Sequence, residues 1–553
     1  MTTKSKIYDV CVIGTGAGGG VMIDQLTAAG MDVVALERGP LLSLAEFNED
    51  ELKTVIRRQV FARDKVDTYR QDEHSPTEKG NIAEITHCVG GSITHWGAWA
   101  WRFRPDDFHV LSKEGPVAGA SLADWPISYE DLEPYYYRAE LDFGASGDSG
   151  GNPFGAPRKQ PYPNPPHPWR PSSHRFARGA RKMGYTPFAL PVAINSQVYG
   201  NRPACMYGGA CRSNGCPINA KASTLSVSLP RALATGRLDL RANAAVYELP
   251  LDNSGRLLGA RYLDEDGNRH EVKARQVVLA AGAMGTTQLM LLSKSALFPD
   301  GLANGSGLVG HNYSYHHYPG VAAVFEDDLR AYTGYEAHAA VDDLHPSDSS
   351  RGFIRGGVIA ETNALSNQPI AFATGLHQFT GHARWGAALK QRLREFPRTM
   401  AFAGICEELP MDSNRVDLDP EVTDTFGLPV PRVTKKNHPN DAVMHQWFCN
   451  KLSELAHAAG ASQIYQIRTP GAFVDKNNSL KSNPHNHGTC RMGDNPSASV
   501  VDKWCRSHEV SNLWVTDASV FPTAGGYNPT LTILANSYRV ADYFIEQARS
   551  LSL

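Results

Sequence analysis

Apolar and polar residues near the start of the chain are arranged in blocks that predict a strand, a helix and a second strand. Residues 8–13 form a nearly continuous apolar run, which is typical of a buried parallel strand. Glycines follow, and residues 19–29 have the spacing of a helix. Residues 32–36 are mostly apolar and predict the second strand, which ends at Glu37. This order predicts a βαβ unit at the start of an α/β domain.

Apolar runs and glycine- and proline-rich stretches predict strands, helices and a loop further along the chain. Residues 145–175 are rich in glycine and proline, so we expect a long surface loop or lid there. Apolar runs predict strands at 257–263, 270–273, 276–281 and 513–516. Helices are predicted at 441–459 and from Pro529, as the first helical residue, to 547.

The composition is that of a globular protein with more than one domain. The chain has 553 residues, too many for one ordinary core, with 42% hydrophobic and 20% charged residues. A net charge of −3 without a basic stripe gives no basis for nucleic-acid binding. No apolar run reaches the roughly 18 residues of a membrane span, and the early first strand leaves no room for a signal peptide. We therefore expect a cytoplasmic protein, or a periplasmic one only through co-export with a signal-bearing partner.

The glycines after the first strand match a dinucleotide-binding turn. Gly14 allows the turn, Gly16 lets the backbone approach a pyrophosphate, and Gly19 packs the helix on the strand. The positive end of the helix dipole then faces the phosphates. Glu37, at the end of the second strand, is placed to accept a hydrogen bond from a ribose hydroxyl. The turn alone does not distinguish FAD from NAD.

Two motifs near the C-terminus carry the candidate chemistry. They are His485-Asn486-His487-Gly488-Thr489-Cys490-Arg491-Met492-Gly493 and Gly526-Tyr527-Asn528-Pro529-Thr530. Oxidation of an alcohol by hydride transfer needs a base for the hydroxyl proton. A neutral histidine, with an ordinary pKa of about 6.5, suits that role at neutral pH. An amide beside the base can hold the same oxygen in place.

Together with the glycine turn, these motifs resemble the glucose–methanol–choline (GMC) family of flavin oxidoreductases. The resemblance implies that FAD is the cofactor and that hydride passes from the substrate carbon to the flavin N5. It implies that His485 is the base, because this residue stands four positions before the threonine of the family's His-x-x-Gly-Thr pattern. Asn528 is the implied partner of the base. His487 is a second candidate for the base.

The resemblance implies further contacts with FAD. Gly90 and Gly91 belong to a segment that runs along the flavin in this family. The residues Thr94-His95-Trp96 resemble the pyranose oxidase branch, in which the matching histidine carries the flavin covalently. Related sugar dehydrogenases have His-Trp here without that bond, so His95 is either the covalent link or a packing residue. The remaining implied contacts are Val246 near the adenine, Asp517 and Ala518 near the phosphate or ribityl part, and Thr530.

Three of the nine cysteines form a local cluster. An odd number of cysteines spread along the chain does not indicate a disulfide framework. Cys205, Cys211 and Cys216 could bind a [3Fe-4S] iron–sulfur cluster with three cysteine ligands. Residues 216–221 resemble family sugar dehydrogenases of the gluconate type, which pass electrons through a cluster. The alternative is three unbridged thiols, and zinc is less favoured because a fourth ligand is not evident.

The resemblance also implies the architecture. We expect an α/β protein with a Rossmann-type FAD-binding domain and a second, sheet-containing substrate domain, which is the GMC fold. The FAD-binding domain is expected to comprise residues 1–125, 195–317 and 476–553. Residues 318–475 are expected to form the substrate-binding domain, and residues 126–194 an arm or lid.

The expected function is oxidation of a secondary alcohol of a sugar, glycoside or aldonate. Electrons would pass to a non-oxygen acceptor or partner subunit, and the implied partners are a small chaperone-like subunit and a cytochrome. The alternative is an O₂-using sugar or glycoside oxidase of the pyranose oxidase or C-glycoside oxidase type. Residues 94–96 favour the oxidase, whereas the cysteine cluster favours the dehydrogenase. A lyase on the same scaffold is a second alternative.

Overall fold

The strand pattern of the N-terminal region is part of a seven-stranded sheet. The computed structural model describes residues 6–48, 50–53, 57, 65–80, 85–209, 211, 214–363, 368–375, 385–466 and 484–550. The spatial order of the sheet is Leu238–Arg241, Val33–Leu36, Ile7–Ile13, Arg269–Leu279, Gly259–Leu263 and Ala245–Glu248, with Leu513–Val515 also paired to Arg269–Leu279. Parallel pairing on both sides of Ile7–Ile13 buries this strand, as its apolar run predicts.

One strand is longer than its sequence pattern predicts. Residues 270–273 and 276–281 were expected to form two strands, but Arg269–Leu279 is continuous. Its first half pairs antiparallel with Gly259–Leu263 and alternates between exposed and buried side chains. Its last four residues, 276–279, lie in the parallel part of the sheet and are all buried. The change of environment within one strand explains why the pattern suggests a break.

Four helices pack together beside the N-terminal βαβ unit. Ala17–Ala28 contacts Ser228–Ala234 and the last helix, Thr530–Arg549, which also contacts Tyr129–Phe143. Pro529 is the capping residue of the last helix, so the helix begins one residue later than predicted. These contacts bury the apolar faces of all four helices in the main core.

A six-stranded antiparallel sheet forms the second region. Its spatial order is Gln463–Gln466, Gly320–Val324, Thr399–Cys406, Gly357–Thr362, Ala339–Val341 and Phe188–Ala189. Helices Pro171–Lys182 and Pro439–Ala458 pack on each other and against this sheet, and together they enclose a second core. The long helix was predicted within two residues at each end.

The described residues also form a third sheet and four further α-helices. A four-stranded sheet has the order Arg415–Thr423, Pro429–Thr434, Asp67–Arg70 and Glu78–Gly80. The other α-helices are Val110–Glu114, Gly282–Leu292, Pro369–Gly375 and Gly386–Leu393. In the described part of the chain, every helix is too short or too polar to cross a membrane.

The segment predicted as an arm or lid is tied to the rest of the protein. Residues 144–170 contain no helix or named strand, as their composition predicts. The segment is nevertheless not a free surface loop, because His167 and Arg170 are buried. Arg170 forms an ion pair with Glu361 of the six-stranded sheet at 3.0 Å. The domain boundaries stay predictions.

Candidate active site

The glycine turn, residues 14–19, packs closely against backbone atoms. Gly14 has a φ of +93°, and a Cβ there would lie 2.5 Å from the carbonyl oxygen of Ala280. A Cβ on Gly19 would lie 1.9 Å from the carbonyl oxygen of Gly14. Both distances are far inside van der Waals contact. The packing of strand on helix therefore requires glycine at these two positions.

Gly16 differs from the other two glycines because protein atoms leave space beside it. A Cβ on Gly16 would have one neighbour within 4 Å, the Cα of Gly91 at 3.9 Å. Gly91 and Gly90 both have positive φ angles, so the chain turns back towards the helix N-terminus. The Gly90 N–H donates to Thr15 Oγ1 at 2.8 Å. The structure thus brings the predicted residues Gly16, Gly90 and Gly91 together around an open space.

Glu37 is bound to the glycine turn through its carboxylate. Its Oε2 accepts hydrogen bonds from the backbone N–H and the hydroxyl of Thr15, at 3.0 and 2.7 Å. The pKa of Glu37 is raised, because the effect of burial is larger than the opposite effect of these hydrogen bonds. The Glu37 carbonyl accepts from the N–H of Ala244 at 2.8 Å. Val246, two residues further on in strand Ala245–Glu248, is therefore held near the same end of the sheet.

His95 is buried directly after the segment that contains Gly90 and Gly91. It caps the short 3₁₀ helix Gly91–Thr94, and its Nε2 lies 3.8 Å from Cys88 Sγ. Burial, followed by the charge of Lys221, lowers the pKa of His95 to about 3. The ring is therefore neutral at physiological pH. Its covalent and its packing role both stay predictions.

Asp517 connects three segments behind the turn. Its carboxylate accepts from the Gly282 N–H at 2.9 Å, from Thr286 Oγ1 at 2.5 Å and from the Ser519 N–H at 2.9 Å. The Ala518 carbonyl accepts from the N–H of Gly488 at 3.2 Å. These bonds join the 282–286 helix start to the segment that carries His485. A structural role for Asp517 is thus evident, and its contact with FAD stays a prediction.

The two C-terminal motifs meet at His485. The Nδ2 atom of Asn528 lies 3.2 Å from His485 Nε2. On the other side of the ring, His485 Nδ1 lies 2.5 Å from the Tyr318 hydroxyl and 3.2 Å from His316 Nδ1. We call these four residues the histidine cluster. Thr530 lies two residues beyond Asn528, as the first residue of the last helix.

Desolvation controls the charge of the histidine cluster. Burial, followed by the neighbouring His316, lowers the pKa of His485 well below its usual value. Burial likewise lowers the pKa of His316 to about 4. Both rings are neutral at pH 7, which is the state in which a histidine can accept a proton.

His487, the second candidate for the base, is packed in the protein interior. Its ring stacks on Phe521 with 6.1 Å between the centroids and lies edge-on to His316 at 4.8 Å. Its backbone pairs with Ser314. Within the described residues, neither ring nitrogen of His487 has a hydrogen-bond partner. The geometry favours His485 over His487 as the residue that faces Asn528.

His316 and Tyr318 are site residues that the sequence analysis missed. Both lie near the predicted junction between the FAD-binding and substrate domains. The signal that could have identified them is the run Tyr315-His316-His317-Tyr318, which places two phenol rings and two imidazoles at a domain boundary. His316 Nε2 lies 2.7 Å from the carbonyl oxygen of Gly525, and its side chain is fully buried.

A buried ionic network fixes the segment before Asn528. The N–H of Gly525 donates to Glu407 Oε1 at 3.3 Å, and Arg355 Nε donates to Glu407 Oε2 at 2.6 Å. The Tyr527 hydroxyl donates to Asp342 at 2.8 Å. Burial raises the pKa of Asp342 to about 7. These contacts fix Gly525 and Tyr527, which precede Asn528 in the chain.

Two of the three predicted metal ligands, Cys211 and Cys216, lie near a buried lysine, and the third, Cys205, lies near Cys216. Lys221 is nearly fully buried, and Cys211 and Cys216 lie close enough to favour its charge. Cys205 is close enough to Cys216 to interact with it electrostatically. Among the described residues, the three sulfur atoms are not all within 4.8 Å of one another, so they do not form a site for a single ion such as zinc. A larger iron–sulfur cluster stays a prediction.

His317, Glu408 and Asp441 form a buried group with metal-binding composition. His317 Nε2 lies 3.7 Å from Glu408 Oε1 and 3.9 Å from Asp441 Oδ2. However, the ammonium group of Lys435 donates to the same oxygen of Glu408. A metal cation at this point would be repelled by Lys435. We therefore interpret the group as a buried ionic network.

Comparison with known proteins establishes the family. Two family models described as GMC oxidoreductase match the chain, over residues 124–318 and 410–537. The chain is 33% identical to 2-methyl-1,2-propanediol dehydrogenase of Mycolicibacterium austroafricanum, covering 98% of this chain and 96% of the relative. The chain is a GMC oxidoreductase. The family, and with it FAD-dependent oxidation of CH–OH groups, is as the sequence motifs predict.

Other matches to this GMC oxidoreductase extend over nearly the whole chain. It is 31% identical to 6'''-hydroxyparomomycin C oxidase of Streptomyces lividus, covering 98% of this chain and 91% of the relative. It is 28% identical to the fructose dehydrogenase large subunit of Gluconobacter japonicus, covering 99% and 100%. The crystal structure of pyridoxine 4-oxidase from Mesorbium loti has a TM-score of 0.64 at 16% identity, covering 98% and 99%. That likeness confirms the predicted GMC fold.

Proposed function

We propose that this GMC oxidoreductase oxidises a secondary alcohol of a sugar, glycoside or aldonate. The observation that carries the proposal is the 3.2 Å approach of Asn528 Nδ2 to His485 Nε2, which unites the two motifs in one site. A neutral histidine supplies the base, and an amide supplies a neutral partner for the substrate oxygen.

The chain's own residues divide the work as follows. His485 Nε2 takes the proton of the substrate hydroxyl, and the amide of Asn528 holds the hydroxyl oxygen beside it. Because burial keeps the pKa of His485 low, the base is ready at neutral pH. Asn528 Nδ2 carries two hydrogens, so one can donate to the substrate oxygen while the other faces His485 Nε2.

The residues around the glycine turn fit FAD. The open space beside Gly16 lies at the N-terminus of helix Ala17–Ala28, where backbone N–H groups and the helix dipole favour a pyrophosphate. The Glu37 carboxylate retains acceptor capacity for a ribose hydroxyl, since each oxygen has two lone pairs. Gly90 and Gly91 would let the backbone approach the flavin ring. When bound, FAD supplies the hydride acceptor for the reaction.

We propose a non-oxygen electron acceptor, with a [3Fe-4S] cluster at Cys205, Cys211 and Cys216. Two of the three cysteines, Cys211 and Cys216, lie close enough to Lys221 to favour its charge, and a cation there would suit an anionic cluster. The similarity to a protein named as a large subunit supports a small subunit and a cytochrome as partners. The alternative acceptor is O₂, which Thr94-His95-Trp96 and the similarity to an aminoglycoside oxidase favour.

A primary alcohol is the second candidate substrate. The relative that is 33% identical is named for 2-methyl-1,2-propanediol. In that diol the hydroxyl on the second carbon is tertiary, so only the primary alcohol carries hydrogen that can leave as hydride. A site that accepts such a compound needs room for a CH₂OH group in front of His485 Nε2.

Anaerobic flavin reduction separates the candidates. A pentopyranoside, which has only secondary alcohols besides its glycosidic carbon, and 2-methyl-1,2-propanediol are mixed separately with the holoenzyme. We expect the pentopyranoside to bleach the flavin. Bleaching by the diol alone would replace the proposal with the primary alcohol, and absence of bleaching by any sugar or diol would favour the lyase. Peroxide yield in air, compared with dye reduction, then identifies the acceptor.

A further inference from the structure

We propose that His316 is a positioning residue that fixes the tautomer of His485. In this tautomer Nδ1 of His485 carries the proton, and Nε2 is unprotonated and acts as the base. This inference rests on the proposed function, because it concerns the base of that reaction. It follows from three contacts among His316, His485, Tyr318 and Gly525, together with the contact of Asn528 with His485.

The hydrogen bond to Gly525 determines the protonation of His316. Nε2 of His316 lies 2.7 Å from the Gly525 carbonyl oxygen, and a carbonyl oxygen can only accept. His316 Nε2 therefore carries a hydrogen. The ring is fully buried, and burial lowers its pKa to about 4, so the second nitrogen, Nδ1, is unprotonated at neutral pH.

The contact between the two rings then determines the protonation of His485. Their Nδ1 atoms lie 3.2 Å apart, which is a hydrogen-bond distance. Two lone pairs at this distance would repel each other, so one proton must lie between the nitrogens. Because His316 Nδ1 is unprotonated, the proton belongs to His485 Nδ1. A neutral imidazole has a single N–H, so His485 Nε2 is left with its lone pair.

Tyr318 does not make this choice, although its hydroxyl is closer. It lies 2.5 Å from His485 Nδ1. A hydroxyl can donate or accept, so Tyr318 is compatible with either tautomer of His485. His316 is compatible with one tautomer only, because its other nitrogen is committed to Gly525.

The orientation on the far side of the ring agrees with this assignment. The Asn528 amide nitrogen, a donor, lies 3.2 Å from His485 Nε2, as expected for an unprotonated ring nitrogen. After Nε2 has taken the substrate proton, Nδ1–H of His485 still donates to His316. The hydrogen bond is then charge-assisted, so His316 also stabilises the imidazolium that the reaction forms.

The protein fixes the carbonyl on which the assignment depends. Gly525 has a φ of +61°, and its N–H donates to Glu407 Oε1 at 3.3 Å. Glu407 is paired with Arg355. The Gly525 carbonyl is thereby held towards His316.

Two substitutions of His316 test the proposal. His316→Asn places an amide oxygen near the position of Nδ1, so an acceptor for His485 remains. His316→Gln reaches the Gly525 carbonyl in place of Nε2 but offers no acceptor at the Nδ1 position. We expect His316→Gln to slow anaerobic flavin reduction by about 10- to 100-fold, a part of the usual general-base contribution. His316→Asn should remain within roughly threefold of the wild type, the size of one weak hydrogen bond.

Equal rates for the two variants, whether both fast or both slow, would overturn the assignment, because a merely structural role does not distinguish them. His485→Ala is measured alongside. If it keeps the wild-type rate, the proposed function fails; if it is slow and the His316 variants are equal, only the present inference fails.

Nitrogen-15 NMR of the wild-type holoenzyme provides a test that does not depend on the His316 variants folding. The His485 resonances are assigned by their loss in His485→Ala. We expect a protonated Nδ1 and an unprotonated Nε2 at pH 7. The reverse assignment would overturn the proposal.

Discussion

The glycine turn is held by backbone contacts, whereas the histidine cluster is held by side chains from distant parts of the chain. In the turn, a Cβ on Gly14 or Gly19 would collide with a backbone oxygen, and the residues of the turn are adjacent in sequence. In the cluster, His316 and His485 are 169 residues apart and touch through their ring nitrogens. The first region depends on the absence of side-chain atoms. The second depends on which nitrogen carries a proton.

This difference predicts two kinds of failure. A substitution in the glycine turn adds atoms where backbone already lies, so it should affect folding or cofactor binding. A substitution in the histidine cluster leaves the backbone in place, so it should affect the rate of the reaction. The two kinds of variant can therefore be told apart by measuring stability and cofactor content on one side and reaction rate on the other.

The largest effect is expected for Gly19→Ala. The new Cβ would lie 1.9 Å from the Gly14 carbonyl oxygen, so the helix must move away from the first strand. We expect a loss of about 3 kcal/mol or more of stability, together with loss of bound FAD. Thermal unfolding and flavin absorbance measure both.

Gly16→Ala is the matched control for Gly19→Ala. Gly16 has a φ of −67°, which alanine adopts readily, and its Cβ would meet no atom closer than 3.9 Å. The apoprotein should therefore unfold near the wild-type temperature, while FAD content falls because the methyl group occupies the space for the pyrophosphate. Full FAD content in Gly16→Ala would contradict the proposed placement of the pyrophosphate.

The second largest effect is expected for His485→Ala. Loss of the base should slow anaerobic flavin reduction by about 10²- to 10⁴-fold, while FAD content stays near that of the wild type. His174→Ala, at an exposed histidine of helix Pro171–Lys182, is the control and should leave the rate unchanged. A large effect of replacing His487, with a normal rate in His485→Ala, would reverse the assignment of the base.

Acidification should destabilise the protein through its buried neutral histidines. Burial lowers the pKa of His316, His338 and His487 below the unfolded value of about 6.5. As the pH falls below 6.5, the unfolded chain binds protons that the native rings do not. The stabilisation present above pH 6.5 is therefore lost on acidification, by about 2 kcal/mol per fully buried ring at pH 5.

Buried carboxyl groups act in the opposite direction. Burial raises the pKa of Asp342 to about 7, so its native form takes up a proton before the unfolded form does. This stabilises the native state as the pH falls from 7. Among the described residues, nine histidines have a lowered pKa and seven carboxyl groups have a raised one, so we expect a lower midpoint of urea unfolding at pH 5 than at pH 7.5. An unchanged or higher midpoint at pH 5 would show that these rings are not neutral in the native state.

The two regions also differ in how far the sequence predicts them. The glycine turn and its strands follow from local spacing, so Ile7–Ile13 and Ala17–Ala28 agree with the pattern within two residues. Strand Phe188–Ala189 has two residues and pairs with Ala339–Val341. No local pattern predicts such a pairing, because the partner strand lies about 150 residues away and supplies the reason for the extended backbone.

The same limit applies within the site. His485 and Asn528 could be identified because each belongs to a motif. His316 and Tyr318 belong to none, and their importance depends on the fold that brings them to His485 Nδ1. Among His485, His487 and His316, the sequence offers three imidazoles of equal chemistry. Only their hydrogen-bond partners distinguish a base from a positioning residue and a buried ring.

The smallest effect is expected for Tyr318→Phe. The hydroxyl lies 2.5 Å from His485 Nδ1, so a reading based on distance alone would make Tyr318 more important than His316. If His316 fixes the tautomer, loss of the hydroxyl removes one hydrogen bond without changing which nitrogen is free. Such a bond contributes about 1 kcal/mol, so anaerobic flavin reduction should slow by roughly fivefold. A decrease in Tyr318→Phe larger than that in His316→Gln would mean that the hydroxyl, and not the second imidazole, holds the proton of His485 in place.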